Sequence, residues 1–298
     1  MDIKPFIDYL QLERQNSAHT VTAYRADVEA FFAFAKAEYD ITDPEAVVYP
    51  VIRSWIVQLV ETQGLSNRSV NRKIASLKEY FNFLLKIGEQ EISPLAKHKA
   101  LKTKKKVQVP FSGEEVDTAL DLLSGDDFVT LRDRLILELF YGTGMRRSEL
   151  INLKWENINL GQGTIKVLGK GNKERLIPLL SFLKSSLVKY EQKVKEKFPR
   201  GEFPFILLSN TGKKTYDSLI YRTVTGYFKQ VSRKAKKSPH LLRHSFATHL
   251  LNGGADLNTV KELLGHTSLA ATQVYTQVGV ERLKSVYGES HPRSKNKD

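Results

Sequence analysis

The 298-residue chain contains no cysteine. That excludes disulfides, thiolate metal centres, iron–sulfur clusters and cysteine nucleophiles together, and it fits a reducing cytoplasm. Long apolar runs are missing too. No stretch reaches the ~18 consecutive apolar residues of a membrane span, and Met1-Asp2-Ile3-Lys4-Pro5 lacks the basic start and apolar run of a secretory signal. A cytoplasmic protein with no membrane partner is expected. There is no Walker A sequence, no Gly-x-Gly-x-x-Gly after a strand, no Gly-x-Ser-x-Gly and no His-Glu-x-x-His. His240 and His244 stand four apart, a spacing able to hold zinc, but no glutamate or third ligand follows in the expected pattern, so no metal is expected. Asp126-Asp127 reads as a cap or solvated turn rather than the convergent carboxylates of a two-metal nuclease.

What is present is basic charge. Lys plus Arg number 46 against 33 Asp plus Glu, a net charge of +13. Residues 1–100 hold 12 basic and 13 acidic side chains, leaving 34 and 20 for residues 101–298, so the whole excess sits in the second part. A localised excess points to a polyanion, with nucleic acid ahead of an anionic membrane surface; basicity for solubility alone is the plainer alternative. The apolar fraction of 41% and aromatic fraction of 10% fit a globular chain, and the length suits two domains at ~150 residues each.

The first hundred residues read as helices. Val21, Tyr24, Val28, Phe31 and Phe32 form one helical stripe; Val70, Ile74, Leu77, Phe81 and Leu84 form a second, with Ser66 as N-cap and Gly88 as stop. Arg68 and Arg72 lie four apart off that stripe, either reaching a phosphate backbone or simply solvated. Ser93-Pro94 ends the helical region. Lys97 to Lys106 holds six lysines in ten positions, Lys104, Lys105 and Lys106 among them, and reads as an exposed linker able to track a duplex backbone or to serve as a solvated hinge. The expected plan is a helical domain over 1–99, a linker over 100–110 and a second domain over 111–298. Ser112-Gly113-Glu114-Glu115 is a capping-box pattern that restarts helix, and helices are expected over 114–123 and 128–141. Short β-type runs at 158–160, 164–168 and 175–177, separated by glycine-rich turns, predict a small antiparallel meander, with a further strand at 205–208. Helices then return, with Asn252-Gly253-Gly254 as a stop.

Several polar residues occupy unusual settings. Arg146 follows a glycine break at a helix start, where backbone N–H groups and a guanidinium both suit a phosphate. Lys170 sits at a Gly-Lys-Gly turn tip. His240 and Arg243 lie three apart on one side of a helix. His266 follows a glycine, and nine residues later comes Tyr275. In combination, Thr-Gly-Met-Arg-Arg-Ser-Glu-Leu at 143–150, Gly-Lys-Gly-Asn-Lys-Glu-Arg at 169–175, His-Leu-Leu-Arg-His-Ser-Phe-Ala-Thr-His-Leu-Leu at 240–251, Leu-Leu-Gly-His-Thr-Ser at 263–268 and Thr-Gln-Val-Tyr-Thr at 272–276 resemble the tyrosine recombinases, or phage-integrase family, and most closely the bacterial Xer type. Thr20-Val21-Thr22-Ala23-Tyr24 and Ser69-Val70-Asn71-Arg72-Lys73 are similar to the family's helical core-binding domain, so the resemblance spans nearly the whole chain. Arg147 departs from the small apolar residue many relatives carry there.

The resemblance implies a mainly α protein with a small antiparallel sheet in the second domain, folded as a two-domain clamp on double-stranded DNA. It implies that Tyr275 attacks a scissile phosphate, giving a 3′-phosphotyrosyl enzyme and a free 5′-hydroxyl. Arg146 and Arg243 would bind the non-bridging oxygens, Lys170 would protonate the leaving oxygen, His240 would assist proton transfer at the tyrosine, and His266 would hydrogen-bond the phosphate. Glu149 would orient a histidine or arginine from behind. Neither metal nor other cofactor is implied, and neither is ATP, because the phosphotyrosyl bond conserves the energy of the broken ester. Four protomers on two sites are implied, as a homo- or heterotetramer, with a second recombinase and an accessory DNA motor as further partners. Xer enzymes resolve chromosome dimers; mobile-element integrases and invertases share the plan. A type IB-like topoisomerase and a non-catalytic DNA-binding protein are the alternatives outside recombination. The stripe Val280, Leu283 and Val286 is expected to dock on a neighbouring protomer or on its own domain, the family favouring the neighbour.

Overall fold

The computed structural model describes residues 2–103, 108–169, 174–265 and 277–294, with side chains from 283 onward in the last segment. The chain is mainly helical and divides into two compact units, Met1–Lys106 and Val107–Asp298. No helix of the described residues is long and apolar enough to cross a membrane.

In the first unit, α1 (Lys4–Asp8) runs on through a π turn to Glu13, followed by α2 (Ala18–Tyr39), α3 (Tyr49–Val57) with a π turn to Thr62, and α4 (Asn67–Ile87). The caps are those the sequence offers. Ser17 and Ser66 accept from backbone N–H groups three residues on, and Gly88 closes α4 in the left-handed conformation, φ +78°. The helices bury a common core in which Phe31 meets Trp55 edge-on at 5.2 Å and Phe6 meets Tyr80 likewise. Within that core, buried Asp27 of α2 accepts from Arg72, Lys73 and Ser76 of α4. Arg72 is therefore not a free solvated arginine, although half of its side chain stays exposed.

The lysine-rich stretch begins differently from expectation. The Asn71 side chain both donates to and accepts from the backbone of Leu101, at 2.9 Å each way, and Asn67 donates to the Lys102 carbonyl at 2.8 Å. The chain at 101–102 is thus pinned to α4. Two asparagine amides satisfy backbone groups that a free linker would leave to water.

The second unit opens with α5 (Gly113–Asp121), whose Ser112–Glu115 capping box is complete, then α6 (Phe128–Thr143), capped by Asp127. Between Leu131 and Thr143 almost every side chain of α6 is buried, so this helix forms the axis on which α8 (Ser181–Lys197), α9 (Asp217–Val231) and α10 (Pro239–Asn252) pack. Short α7 (Arg147–Ile151) follows α6, and α11 (Leu257–Leu264) follows α10. Strands β1 (Ile158–Asn159), β2 (Thr164–Leu168) and β3 (Glu174–Pro178) form an antiparallel sheet in the order β1-β2-β3, pairing Ile165 with Ile177 and Val167 with Arg175. Residues 205–208 form no strand of this sheet; they make only isolated bridges, Lys154 with Phe205 and Leu208 with Lys214.

The last helix, α12 (Gln277–Ser290), packs on its own unit. Leu283 and Tyr287 are buried in the core, with Val286 against them. His291, also buried, shares a hydrogen bond with the Tyr141 carbonyl at 3.1 Å, and burial pushes its imidazole down to about 4, so it is neutral. Leu283 and Val286 thus sit on their own unit, the alternative to docking on a neighbouring protomer; the Val280 side chain lies outside the described residues.

Candidate active site

The site starts at the turn between α6 and α7. Gly144 stops α6 in the left-handed conformation, φ +59°, and a Cβ there would stand 2.3 Å from the Phe246 ring. The reversal sinks Met145 into the core and leaves Arg146 as N-cap of α7. Three residues later, buried Glu149 folds back. Its carboxylate accepts from the Arg146 backbone N–H at 2.6 Å and from Nη1 of the same arginine at 2.7 Å. An acidic residue at this position suits the positive end of the helix, and here it also grips the arginine side chain.

Arg243 comes from α10, one turn in. Its Nη1 donates to the Gly144 carbonyl and its Nη2 to Leu264 O at 2.8 Å. Burial and neighbouring Arg146 push its guanidinium down to about 10, which leaves it cationic at neutral pH. His240, exposed on the same helix, is held below the ordinary imidazole range by partial burial and by Arg243, so it is poised as a neutral proton acceptor.

The third arginine, Arg175, did not figure among the expected site residues. It is buried on β3, donating through Nη1 and Nη2 to the two oxygens of Glu149 at 2.9 and 2.8 Å, and through Nε to Leu263 O at 2.8 Å. Burial alone would raise the Glu149 carboxyl, but Arg175 and Arg146 reverse that and hold it near 2. The signal was in the meander. Arg175 alternates with Ile177 on the inward face of β3 and pairs with buried Val167, and a charge in an inward register needs a buried partner.

Together these contacts form one arrangement. The last two carbonyls of α11, at Leu263 and Leu264, and that of its cap Gly265 accept from Arg175, Arg243 and Arg146 respectively. A helix C-terminus carries unpaired carbonyls and partial negative charge, so three guanidiniums suit it. Gly265, left-handed at φ +66°, turns the chain out of α11 immediately before His266. Three cations against Glu149 leave a net positive site, and Arg146, about a third exposed at its side chain, faces outward from it. Such a site can hold a phosphodiester and stabilise charge on its oxygens.

Arg146, Glu149 and Arg243 are thus brought together, with His240 one turn away. Lys170, His266 and Tyr275 lie outside the described residues, as do Lys104, Lys105 and Lys106. Arg68 is exposed on α4. Arg147, the departure from the family pattern, pairs with Asp217 of α9 at 2.6 Å.

The Phage integrase family pattern matches residues 111–282, and the pattern of its N-terminal SAM-like domain matches residues 3–88. The chain belongs to the phage integrase family. This member is 39% identical to the tyrosine recombinase XerC of Chlorobaculum parvum, over 97% of the chain and 94% of that protein. It is 36% identical to the tyrosine recombinase XerD of Listeria monocytogenes, over 98% of the chain and 99% of that protein. Its fold is similar to the XerH site-specific recombinase bound to palindromic difH substrate in a post-cleavage complex, with a TM-score of 0.71 and 24% identity over 91% of this chain and 80% of that one.

Proposed function

We propose that the protein is a site-specific recombinase that breaks and rejoins double-stranded DNA through a 3′-phosphotyrosyl intermediate. The observation that carries this reading is the convergence of Arg146 and Arg243 on the end of α11, beside a neutralised carboxylate. The two guanidiniums would take the non-bridging oxygens of the scissile phosphate and offset the charge of the pentavalent transition state. The Tyr275 oxygen attacks phosphorus, His240 receives the phenol proton, and the bond to the 5′-oxygen breaks as Lys170 protonates it. His266, following Gly265, would hydrogen-bond the phosphate. Attack by the 5′-hydroxyl of another strand on the phosphotyrosine reverses the step, so no external energy source enters.

Residues 1–99 would serve as the core-binding domain and 111–298 as the catalytic domain, joined by the basic stretch, with Arg68, Arg72 and Lys104 to Lys106 on the DNA backbone. Four protomers on two sites follow from family resemblance. So do a cytoplasmic setting and an Xer-like role in resolving chromosome dimers, with a second recombinase and an accessory DNA motor as partners. Similarity to XerC and XerD over nearly the whole chain supports that role above mobile-element integration.

Arg243→Ala, and equally Arg243→Lys, should lower the rate of strand cleavage by about 10²- to 10³-fold, since an ammonium cannot replace the planar fork. Binding of uncleaved DNA should fall steeply with salt, by at least about 10³-fold between ~50 and ~200 mM, if six or more phosphates are contacted. The test of the reading begins with fragmented host DNA incubated with the protein and washed in denaturing detergent. A narrow set of retained fragments is expected, and two copies of such a fragment on one plasmid should exchange. Relaxation of any plasmid without exchange would favour a topoisomerase, and salt-sensitive binding with no retained fragment would favour a non-catalytic protein.

A further inference from the structure

Of the three arginines at the end of α11, Arg175 alone spends both terminal nitrogens on a single carboxylate while buried on a strand. All three of its nitrogens donate to protein acceptors, Glu149 and Leu263 O. The Glu149 carboxylate accepts four donors, two on each oxygen: the backbone N–H and Nη1 of Arg146, and Nη1 and Nη2 of Arg175. A carboxylate has about four acceptor positions, so the pair of arginines saturates it. The Nε of Arg175 holds Leu263 O, and its side chain lies under the turn at Gly265, where a Cβ would meet Arg175 Cδ at 3.1 Å.

We propose that Arg175 is a positioning residue for strand cleavage: it occupies half of the Glu149 carboxylate and underpins the α11 turn, leaving the Arg146 charge available to the scissile phosphate. This rests on the recombinase reading above. Without Arg175, Glu149 has only Arg146 as a charged partner within its contacts, and the two close into a neutral pair that competes with the DNA phosphate. The Gly265 turn also loses its floor. Arg175 thus joins β3, the start of α7 and the end of α11, which lie far apart in sequence.

The experiment uses the full chain and the DNA fragments that wild type retains covalently. Arg175→Gln should form the covalent adduct about 10²-fold more slowly. In a Tyr275→Phe background it should bind the uncleaved fragment within about threefold of the parent. Adding Glu149→Gln to Arg175→Gln should restore the adduct rate by about tenfold or more, because the competing carboxylate charge is gone; a purely structural role predicts no such gain in rate per folded molecule. If Arg175→Gln does not fold, Arg175→Lys is used by itself: it keeps the charge but loses the fork, and should lose about tenfold in adduct rate with binding of uncleaved DNA unchanged. Cleavage within about twofold of wild type, or a double variant no faster than its single parent, would overturn the proposal. Wild type that forms no adduct with any DNA overturns the recombinase reading itself, and this assignment with it.

Discussion

A Tyr275→Phe chain should bind the same DNA as wild type and lose covalent adduct by at least about 10⁴-fold, because no other group takes over the attack. A phenol with an ordinary pKa near ~10 is about one part in a thousand ionised at neutral pH, so some 4 kcal/mol must be supplied to make it nucleophilic. A site that gathers Arg146 and Arg243 would supply positive potential, and His240, held below the ordinary imidazole range, would supply the proton acceptor. Phenylalanine keeps the ring and removes the oxygen, so binding through phosphate contacts is retained while the bond to phosphorus cannot form. Adduct yield is read after denaturing detergent, and binding by gel shift on the same fragments. Equal adduct from both chains would place the nucleophile elsewhere.

Glu149→Ala should destabilise the second unit by about 3–5 kcal/mol, because it leaves the Arg175 guanidinium buried without its counter-charge. Denaturant unfolding in a Trp55→Phe background, where Trp155 is the sole tryptophan emitter, reads that unit directly. The same carboxylate makes a pH prediction. Its pKa is lowered on folding, from 4.5 to about 2, because the two arginines outweigh the opposing effect of burial. A depressed carboxyl contributes stability above its unfolded pKa and loses it as the pH falls toward the folded one. Roughly 3 kcal/mol should therefore disappear between about pH 4.5 and pH 2. The stability difference between wild type and Glu149→Gln should be largest near pH 6 and shrink toward pH 3; a difference that does not change with pH would show that Glu149 is not charged in the fold.

Much of this architecture could be read locally. Ser66 and Gly88 bound α4, Ser112 and Glu115 start α5, and the glycine-rich turns mark the meander, because caps and turns act within three or four residues. What could not be read depends on distant partners. Arg175 stood within the motif used to locate Lys170, but its partners Glu149 and Leu263 lie 26 and 88 residues away. Asp27 claims Arg72 from 45 residues away, and Asn71 reaches Leu101 across 30. In each case a single polar side chain satisfies a buried or backbone group on another element, and no periodicity records that choice. The run at 205–208 failed for a related reason: a buried apolar stretch looks like strand whether or not a neighbouring strand accepts its hydrogen bonds. The stripe on α12 was correctly apolar, and what it covers is decided by the core that Tyr287 and His291 enter.

In the proposed reaction Tyr275 carries the DNA in the covalent intermediate. The most direct measurement is the mass of the trapped adduct after nuclease and protease trimming. A nucleotide joined through its 3′-phosphate to the Tyr275 side chain is expected, with the other cleaved end a free 5′-hydroxyl. A nucleotide on any other residue, or one joined through its 5′-phosphate, would contradict it.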